Sequence, residues 1–413
     1  MKPRLIGICF NAYGTGLTRV MHEILFPLAD EYEIHYLAIG YNGPRYEDRG
    51  VHIHPTNLEG GDVFGAFQAR AMIEELDPEV VFLLHDIWVF RNFTSIFAPV
   101  RDRTRFVGYI PLDGRVTQHG LAASLHGLDR VVVYTDWAAR ELREAFAGLG
   151  EAEPGTAWPP IDVIFHGVDL EHFRPPAALV EADFHHHGRV ALKRELFPEL
   201  ADPEESFIVL NAARPALRKR VDLTIEGFAK FAADKPANVK LCLHHAYTED
   251  DTRALVELAE SRLGDRLLYN PLNPEGGAIS EAALNRLYGA TDVGINTSMG
   301  EGWGLVSFEH AAAGAVQIVP RSSACASLWD DDRAVMLEPV NHGIPYFSQL
   351  ELAEVDADGV AAALQRLYDD RGHMQALAKA GYRHGHRPEF RWSRISAQWR
   401  ALFGELRAEL RGS

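Results

Sequence analysis

Cysteine is nearly absent: the 413 residues hold three, Cys9, Cys242 and Cys325, far apart in the chain. Two of them sit inside apolar, strand-like runs, so neither a disulfide framework nor a zinc site is suggested, and a reducing cytoplasm fits best. Long apolar runs are also missing, and no stretch approaches the roughly 20 residues that a membrane helix needs. The opening "MKPRLIGICFNAYG" has an apolar run too brief for a signal-peptide core, and it leads into a glycine-rich loop. It reads as a first β-strand. Basic residues are in deficit, 41 against 58 acidic ones, for a formal charge of -17. Such a balance repels polyanions and argues against nucleic acid as a partner, leaving only local basic patches to hold phosphate. No repeat of solenoid period and no low-complexity segment is found.

What is present is a soluble globular composition, 47% apolar and 24% charged, with room for two hydrophobic cores. The first third alternates short apolar runs with helical patterns: "LIGICF", a helix over Leu17 to Leu28, "IHYLAI", "VVFLLH", a helix over Trp88 to Pro99, "TRFVGYI", "RVVVY", a helix over Asp136 to Ala147, and "IDVIF". Apolar runs separated by helices predict a parallel sheet covered on both faces. The pattern breaks at "HGVDLEHFRPPAALVEADFHHHG" and restarts with "SFIVLNAA", "VKLCLHH", "RLLYN", "DVGIN" and "AVQIVP". Two doubly wound α/β units joined near residues 168 to 176 follow. At the end, Trp392, Ile395, Trp399, Leu402, Phe403 and Leu406 recur at helical spacing and predict a long amphipathic helix. "HHH" at 185 to 187 reads as a solvated loop, since adjacent histidines on one strand or loop cannot all point at one ion.

Two stretches of the second half carry chemistry. In "NTSMGEGWGLVSFEHAAAG" the segment "GEGWG" ends a strand and precedes a helix from about Gly304 to Ala313. Such a junction aims free backbone N–H groups and the positive end of the helix dipole at whatever lies above it. On that helix Glu309 shares a face with Leu305, Ala312, Ala313 and Val316, and a carboxylate on an apolar stripe needs a partner. It is equally read as a solvated glutamate at the helix edge or one paired internally with a basic side chain. In "LNAARPALRKRVDLTIEGFAKF", Arg214 leaves the C-terminal end of a strand and Lys219 follows five residues later, just before a helix. Ligands of open α/β sheets bind at those strand ends, where Arg offers a planar fork to phosphate and Lys a point charge. Taken alone, with Arg218 and Arg220 beside them, these cations read as a solvated basic cluster.

Taken together, the Arg-x4-Lys loop and the later Glu-x7-Glu of "EGWGLVSFE" resemble the retaining family 4 glycosyltransferases of GT-B fold. The likeness extends to "VIFHGVDLEHFRP", which looks like that family's interdomain segment, and to the C-terminal helix. The resemblance implies two Rossmann-like domains facing a cleft: 1–170 for the acceptor, 171–385 for a nucleotide sugar, and a helix at 386–413 that crosses back to the first domain. It also implies sugar transfer from a nucleoside diphosphate sugar, of UDP or GDP type, to a saccharide, lipid-linked or small-molecule acceptor, with retention at the anomeric carbon. Polysaccharide biosynthesis is the implied setting, and peripheral membrane contact stays open. Under it Glu309 binds the ribose hydroxyls and Glu301 the donor sugar. Arg214, Lys219 and the backbone of Gly302, Trp303, Gly304, Leu305 and Val306 face the diphosphate. The loop 268–277, with Asn270 and Leu272, receives the base.

In the first half, "NAYGTGLTRV" holds Gly14-x-Gly16-x-x-Arg19. A dinucleotide fold would want glycine at Arg19 and an acid after the second strand, where "LAIG" offers none, so the dehydrogenase reading loses. The resemblance places Gly16 against the donor diphosphate; a plain tight turn is the other reading. Many members of the family carry a histidine after the strand "RFVGYI", and here Asp113 stands in or near that place, as a ligand of the acceptor side or of sugar hydroxyls, or as part of an Asp-Gly turn. His85 is read either as an acceptor contact or as a strand-end histidine bonded to a loop carbonyl. No metal is expected, because the acid-rich runs "EDDT" at 249 to 252 and "DDD" at 330 to 332 are the only candidates to hold one and both read as solvated. A nucleotide-sugar 2-epimerase and a non-catalytic nucleotide-sugar-binding module remain as the alternatives.

Overall fold

The computed structural model describes residues 2–412 apart from 13, 57–60, 153, 176–185, 245–249 and 273–278. The chain divides into two units, the first of Met1–Gly167 with Ser348–Glu351 and Glu389–Ser413, the second of Val168–Phe347 with Leu352–Pro388.

The first unit runs β1 (Arg4–Phe10), α1 (Gly16–Leu25), β2 (Glu33–Ile39), β3 (Tyr46–Asp48), β4 (Val51–Pro55), α2 (Ala66–Leu76), β5 (Val80–Leu84), α3 (Arg91–Phe97), β6 (Arg105–Ile110), β7 (Arg130–Val133), α4 (Asp136–Ala152) and β8 (Ile161–Val163). Its sheet has the order β3-β4-β2-β1-β5-β6-β7-β8, parallel throughout except for the antiparallel β3–β4 pair. All five residues of β5 are buried, which is why it reads as an unbroken apolar run. The strand order reverses between β1 and β5, and this switch point is where such sheets open a ligand crevice. Pro27 has no N–H to donate, so α1 stops at Leu25 and tightens into a 3₁₀ turn over Phe26–Leu28, short of the expected continuous helix. The helix expected over Trp88 to Pro99 is likewise only Arg91–Phe97, with 3₁₀ turns on both sides.

The second unit runs α5 (His186–Leu196), β9 (Phe207–Asn211), α6 (Val221–Ala232), β10 (Val239–Leu243), α7 (Asp250–Leu263), β11 (Leu267–Tyr269), α8 (Glu281–Ala290), β12 (Val293–Ile295), α9 (Leu305–Ala312), β13 (Val316–Pro320), α10 (Ser323–Leu328), β14 (Val335–Leu337), the hairpin β15 (Asn341–Gly343) and β16 (Leu352–Glu354), α11 (Ala357–Asp369) and α12 (Arg371–Gly385). Its six parallel strands stand in the order β11-β10-β9-β12-β13-β14, so the switch point lies between β9 and β12. Phe207, Val209, Leu241, Val293 and Ile318 from the strands meet Ile225 and Phe228 of α6 and Val360, Leu364 and Leu367 of α11 in one core.

The last helix, α13 (Trp392–Gly412), belongs to the first unit. Its buried stripe of Ile395, Trp399, Leu402, Phe403 and Leu406 is the one the sequence periodicity predicts. Trp399 packs its ring on Phe82 of β5 and Tyr109 of β6, with centroids 4.7 and 4.8 Å away. The Ser396 hydroxyl donates to the carbonyl of Glu23 at 2.8 Å, and Arg407 and Arg411 both bond Glu79. All three cysteines are buried and free, and burial pushes each thiol well above its ordinary pKa, so none is a nucleophile. Among the described residues no helix is long and apolar enough to cross a membrane.

Candidate functional site

Two loops flank the switch point of the second unit: the one after β9, which carries Arg214 and Lys219, and the one after β12, which carries Glu301. They are laced together. The Thr297 hydroxyl donates to the carbonyls of Lys219 (3.1 Å) and Arg220 (2.8 Å), the Met299 amide donates to the Arg218 carbonyl at 2.8 Å, and Arg218 Nη1 donates to the Gly300 carbonyl at 2.6 Å. Arg220 sits in the left-handed region at φ 46°, a conformation uncommon for a side chain of its size. The Thr297 bond and ion pairs from its guanidinium to Asp222 and Glu354 hold it there.

This lacing brings Lys219 onto Glu301. The ammonium lies 2.5 Å from Glu301 Oε1, which also accepts from Asn296 Nδ2 at 3.0 Å, while Arg218 Nη1 stands 3.7 Å from Oε2. Burial alone would raise the Glu301 carboxyl, but the charges of Lys219 and Arg218, with the hydrogen bonds from Lys219 and Asn296, hold it below the usual carboxylate range. The start of α10 fixes the backbone from the other side: the Glu301 amide donates to Ser323 Oγ at 2.9 Å, and its carbonyl accepts from Ala324 N at 3.2 Å. Asn296 and Arg218 are thus part of the cluster. The sequence signal for Asn296 was available only as a short polar run before glycine, and Arg218 read as surface charge.

Past Glu301, Gly304 takes φ 85° as the residue that starts α9, where a side chain would be strained. Its carbonyl accepts from Ser307 and Phe308, so the amides of Leu305 and Val306 lie in the turn where helical geometry supplies no acceptor of its own. Leu305 and Val306 are half-buried; Gly302 and Trp303 are buried, and the Trp303 indole stacks on Phe308 at 4.9 Å as part of the packing under the helix. Glu309 is 2% exposed, which removes the reading of a solvated edge residue, and its Oε2 accepts from the Tyr288 hydroxyl at 3.2 Å.

The remaining expected residues are placed as follows. Arg214 is exposed and makes no hydrogen bond or ion pair to the described residues. Asn270 is buried, with Nδ2 on His244 Nδ1 at 3.0 Å and Oδ1 accepting from Leu272 N at 3.0 Å, so its amide shapes the loop. Burial pushes His244 down to about 4, leaving it neutral. The rest of that loop, 273–278, lies outside the described residues, as do His185 of the histidine run and Glu249 of "EDDT". The "DDD" run forms an exposed turn in which Asp331 pairs with Arg321 and Asp330 with Arg333. Among the described residues Asp169, His172 and Glu281 are the one group of metal-ligand type, and it shares no residue with the cluster around Glu301.

In the first unit, Gly16 is exposed as the first residue of α1, directly after the turn in which Gly14 adopts φ 78°. Asp113 is half-buried in the loop after β6. His85 directly follows β5, on the other side of that unit's switch point. It is buried, and burial drives it down to about 4. Its Nδ1 accepts from the Asp86 amide at 2.8 Å, so the neutral ring carries its proton on Nε2. Phe64 and Trp88 stand edge-on to the ring.

Against this geometry stand the comparisons with known proteins. A family model described as "Glycosyl transferase-like" matches residues 253–401, which include the Glu301 loop and α9. A sucrose-phosphate synthase from Thermosynechococcus elongatus superposes with a TM-score of 0.70 at 18% identity, over 99% of this chain and 100% of that one. The α,α-trehalose 6-phosphate synthase from Burkholderia multivorans does so with a TM-score of 0.70 at 14% identity, over 99% of both chains. The chain has the GT-B fold. HepE of Anabaena, solved in complex with UDP and glucose, aligns at 0.68 and 12% identity over 98% of this chain and 100% of that one. No curated protein matches the chain by sequence.

Proposed function

We propose that the protein is a retaining glycosyltransferase that moves a sugar from a nucleoside diphosphate sugar, of UDP or GDP type, to a saccharide, lipid-linked or small-molecule acceptor. One observation carries the reading: Lys219 and Arg218 gather on Glu301 at the C-terminal edge of a parallel sheet, beside the start of a helix whose buried face holds Glu309. The glycosyl transferase-like match over that same stretch and the UDP and glucose complex of the HepE neighbour support it.

The chemistry asks for what these residues offer. As the bond between the anomeric carbon and the diphosphate breaks, the electron pair leaves with the phosphate oxygen and positive charge spreads over the sugar ring. Lys219, Arg214 and the amides of Gly302 to Val306 stabilise the departing anion. Glu301 accepts hydroxyls of the donor sugar, Glu309 those of the ribose, and the loop with Asn270 and Leu272 receives the base. Asp113 and His85, through its Nε2–H, serve the acceptor side.

The test is a thermal-shift series with UDP, GDP, dTDP, ADP and NAD, in which a ligand at about 100 times its Kd adds about 2.7 kcal/mol of stability. A shift by a nucleoside diphosphate is expected, and stabilisation by NAD alone would overturn the reading. Glu309→Gln is expected to weaken nucleotide binding, whereas Glu301→Gln mainly lowers turnover, since ribose contacts exist in substrate and transition state alike. Equal losses of nucleoside diphosphate affinity in both variants would contradict the assignment. No metal is needed in this scheme, because fixed cations already lie where the diphosphate leaves. Activity is expected to survive exhaustive EDTA treatment; activity lost to chelator and restored by Mn²⁺ or Mg²⁺ would reopen the mechanism.

A further inference from the structure

The loop that carries Arg214 and Lys219 is gripped at both ends by one buried chain of polar side chains. Asn211 closes β9, Thr224 lies near the start of α6 and Thr297 follows β12, and none of the three is more than 1% exposed. At the beginning of the loop the Ala213 amide donates to Asn211 Oδ1 at 3.0 Å. From there Asn211 Nδ2 donates to Thr224 Oγ1 at 2.9 Å, the Thr224 and Thr297 hydroxyls stand 2.9 Å apart, and Thr297 bonds the carbonyls of Lys219 and Arg220 at the loop's far end.

The direction of each bond in this chain follows from what the groups can donate. A carbonyl only accepts, so the single proton of Thr297 goes to Lys219 and Arg220, and the two hydroxyls are bridged by the proton of Thr224. The Thr224 oxygen then takes an N–H of Asn211. That amide cannot be turned over, because the Ala213 N–H requires an oxygen on its side. The run of bonds thus leaves the loop at Ala213 and returns to it at Lys219 and at Arg220, whose left-handed backbone leads into α6.

We propose that this chain, with Thr224 as its central link, positions Lys219 for sugar transfer: Thr224 passes the hold of Asn211 on to Thr297 and so fixes the backbone that presents the ammonium to the leaving diphosphate. The proposal rests on the reading of Lys219 as the cation that stabilises that anion. Thr224 is wholly out of solvent, so it touches no donor sugar, and its effect on turnover passes through the loop. Removing its hydroxyl takes the acceptor from Asn211 Nδ2 and the donor from Thr297 inside a core, where polar groups that lose a partner shift to find another. The backbone of Lys219 shifts with them.

The experiment compares Thr224→Val, which keeps the shape and drops the hydroxyl, with Thr224→Ser, which keeps the hydroxyl, each alone and in the Lys219→Ala background. The readout is nucleoside diphosphate released from UDP-glucose, or from another UDP- or GDP-sugar that wild type turns over, with thermal melts to confirm folding. Thr224→Val is expected to lower kcat about tenfold, part of the roughly 100-fold that a misplacement of about 1 Å costs, while donor KM holds. Thr224→Ser should keep most of the wild-type kcat. Where Lys219 is already alanine, Thr224→Val should lower kcat no further. Should Thr224→Val fail to fold, Thr297→Val breaks the chain at its next link, with Thr297→Ser as its conservative partner, and is read in the same way. A folded Thr224→Val with kcat within about twofold of wild type would overturn the positioning role, and leaves the reading of Lys219 standing where Lys219→Ala has lost its turnover. Equal losses in the valine and serine variants, or a loss that persists in the Lys219→Ala background, would overturn it too, since the effect would then come from packing or from another group. A kcat in Lys219→Ala close to that of wild type would instead remove the reading of Lys219, and the positioning role with it. Release from none of these sugars by wild type would remove the transferase reading itself.

Discussion

Replacing Lys219 with alanine is expected to lower kcat by about 100- to 1,000-fold, the size of effect found when one preorganised donor to a developing anion is removed. Donor KM should change far less. The ammonium is fixed before any ligand arrives, because Glu301 Oε1 holds it at 2.5 Å and Thr297 holds its backbone carbonyl. Its neighbours cannot stand in for it. Arg218 spends Nη1 on the Gly300 carbonyl at 2.6 Å, and Arg214 is exposed, where its charge is screened. Lys219→Arg should recover part of the loss, since it keeps the charge but sets a planar fork where a compact ammonium fits. There is a second signature. Lys219 is the first of the charges that hold the Glu301 carboxyl below its usual range against the pull of burial, so its removal releases that carboxyl upward. The acid limb of the kcat/KM profile should then move to higher pH in Lys219→Ala. A kcat within about threefold of wild type, with the loss confined to KM, would show that the ammonium contributes only ground-state binding.

The parts of this site differ in how far the sequence reveals them. Strands β5 and β9 are buried along their length and β1 between its two end residues, and a run with no polar alternation announces itself. Helix α2 does not, because its buried residues are Ala66, Ala69, Met72 and Ile73 and its hydrophobic stripe is thin. The exposed strand β15 has no apolar signal to read, and its partner β16 has only the buried Leu352 and Ala353. Glu301 and Lys219 are found through a spacing motif, but their ion pair spans 82 positions and needs the lacing of two loops that only the folded chain displays. Asn296 offers one amide in a polar turn, and Tyr288 is a lone aromatic on a short helix. Which of α8's faces meets α9 is a property of packing, and periodicity alone is silent on it.

Asp292 shows the same limit and carries the largest expected loss of stability. Arg189 and Lys193 stand four apart on α5, a spacing that in sequence reads as a solvated basic face. Both are buried instead. Lys193 Nζ donates to Asp292 Oδ2 and to the Ser206 carbonyl, each at 2.7 Å; Arg189 reaches the Thr291 and Gly314 carbonyls at 2.6 and 3.0 Å and stands 3.6 Å from Asp292 Oδ1. The Ile208 amide adds a bond to Oδ2 at 2.8 Å, so one carboxylate joins α5 to the starts of β9 and β12. Asp292→Ala would leave two buried cations with no counter-charge, and a cost of about 3–5 kcal/mol is expected in denaturant unfolding of the second unit. Burial alone would raise the Asp292 carboxyl, yet Lys193 and Arg189 hold it below its ordinary value. A carboxylate with a depressed folded pKa contributes stability above its unfolded value, about 3.9, and loses it as pH falls through the folded one. The wild-type protein should thus keep this contribution through neutral pH down to about pH 4, and the gap between wild type and Asp292→Ala should close only in more acid solution. Replacing the whole set with apolar residues, Arg189→Met, Lys193→Met and Asp292→Leu together, should cost less than Asp292→Ala alone, because no charge is then stranded. A cost under about 1 kcal/mol for Asp292→Ala would mean that water reaches the two cations and screens them as it does at a surface.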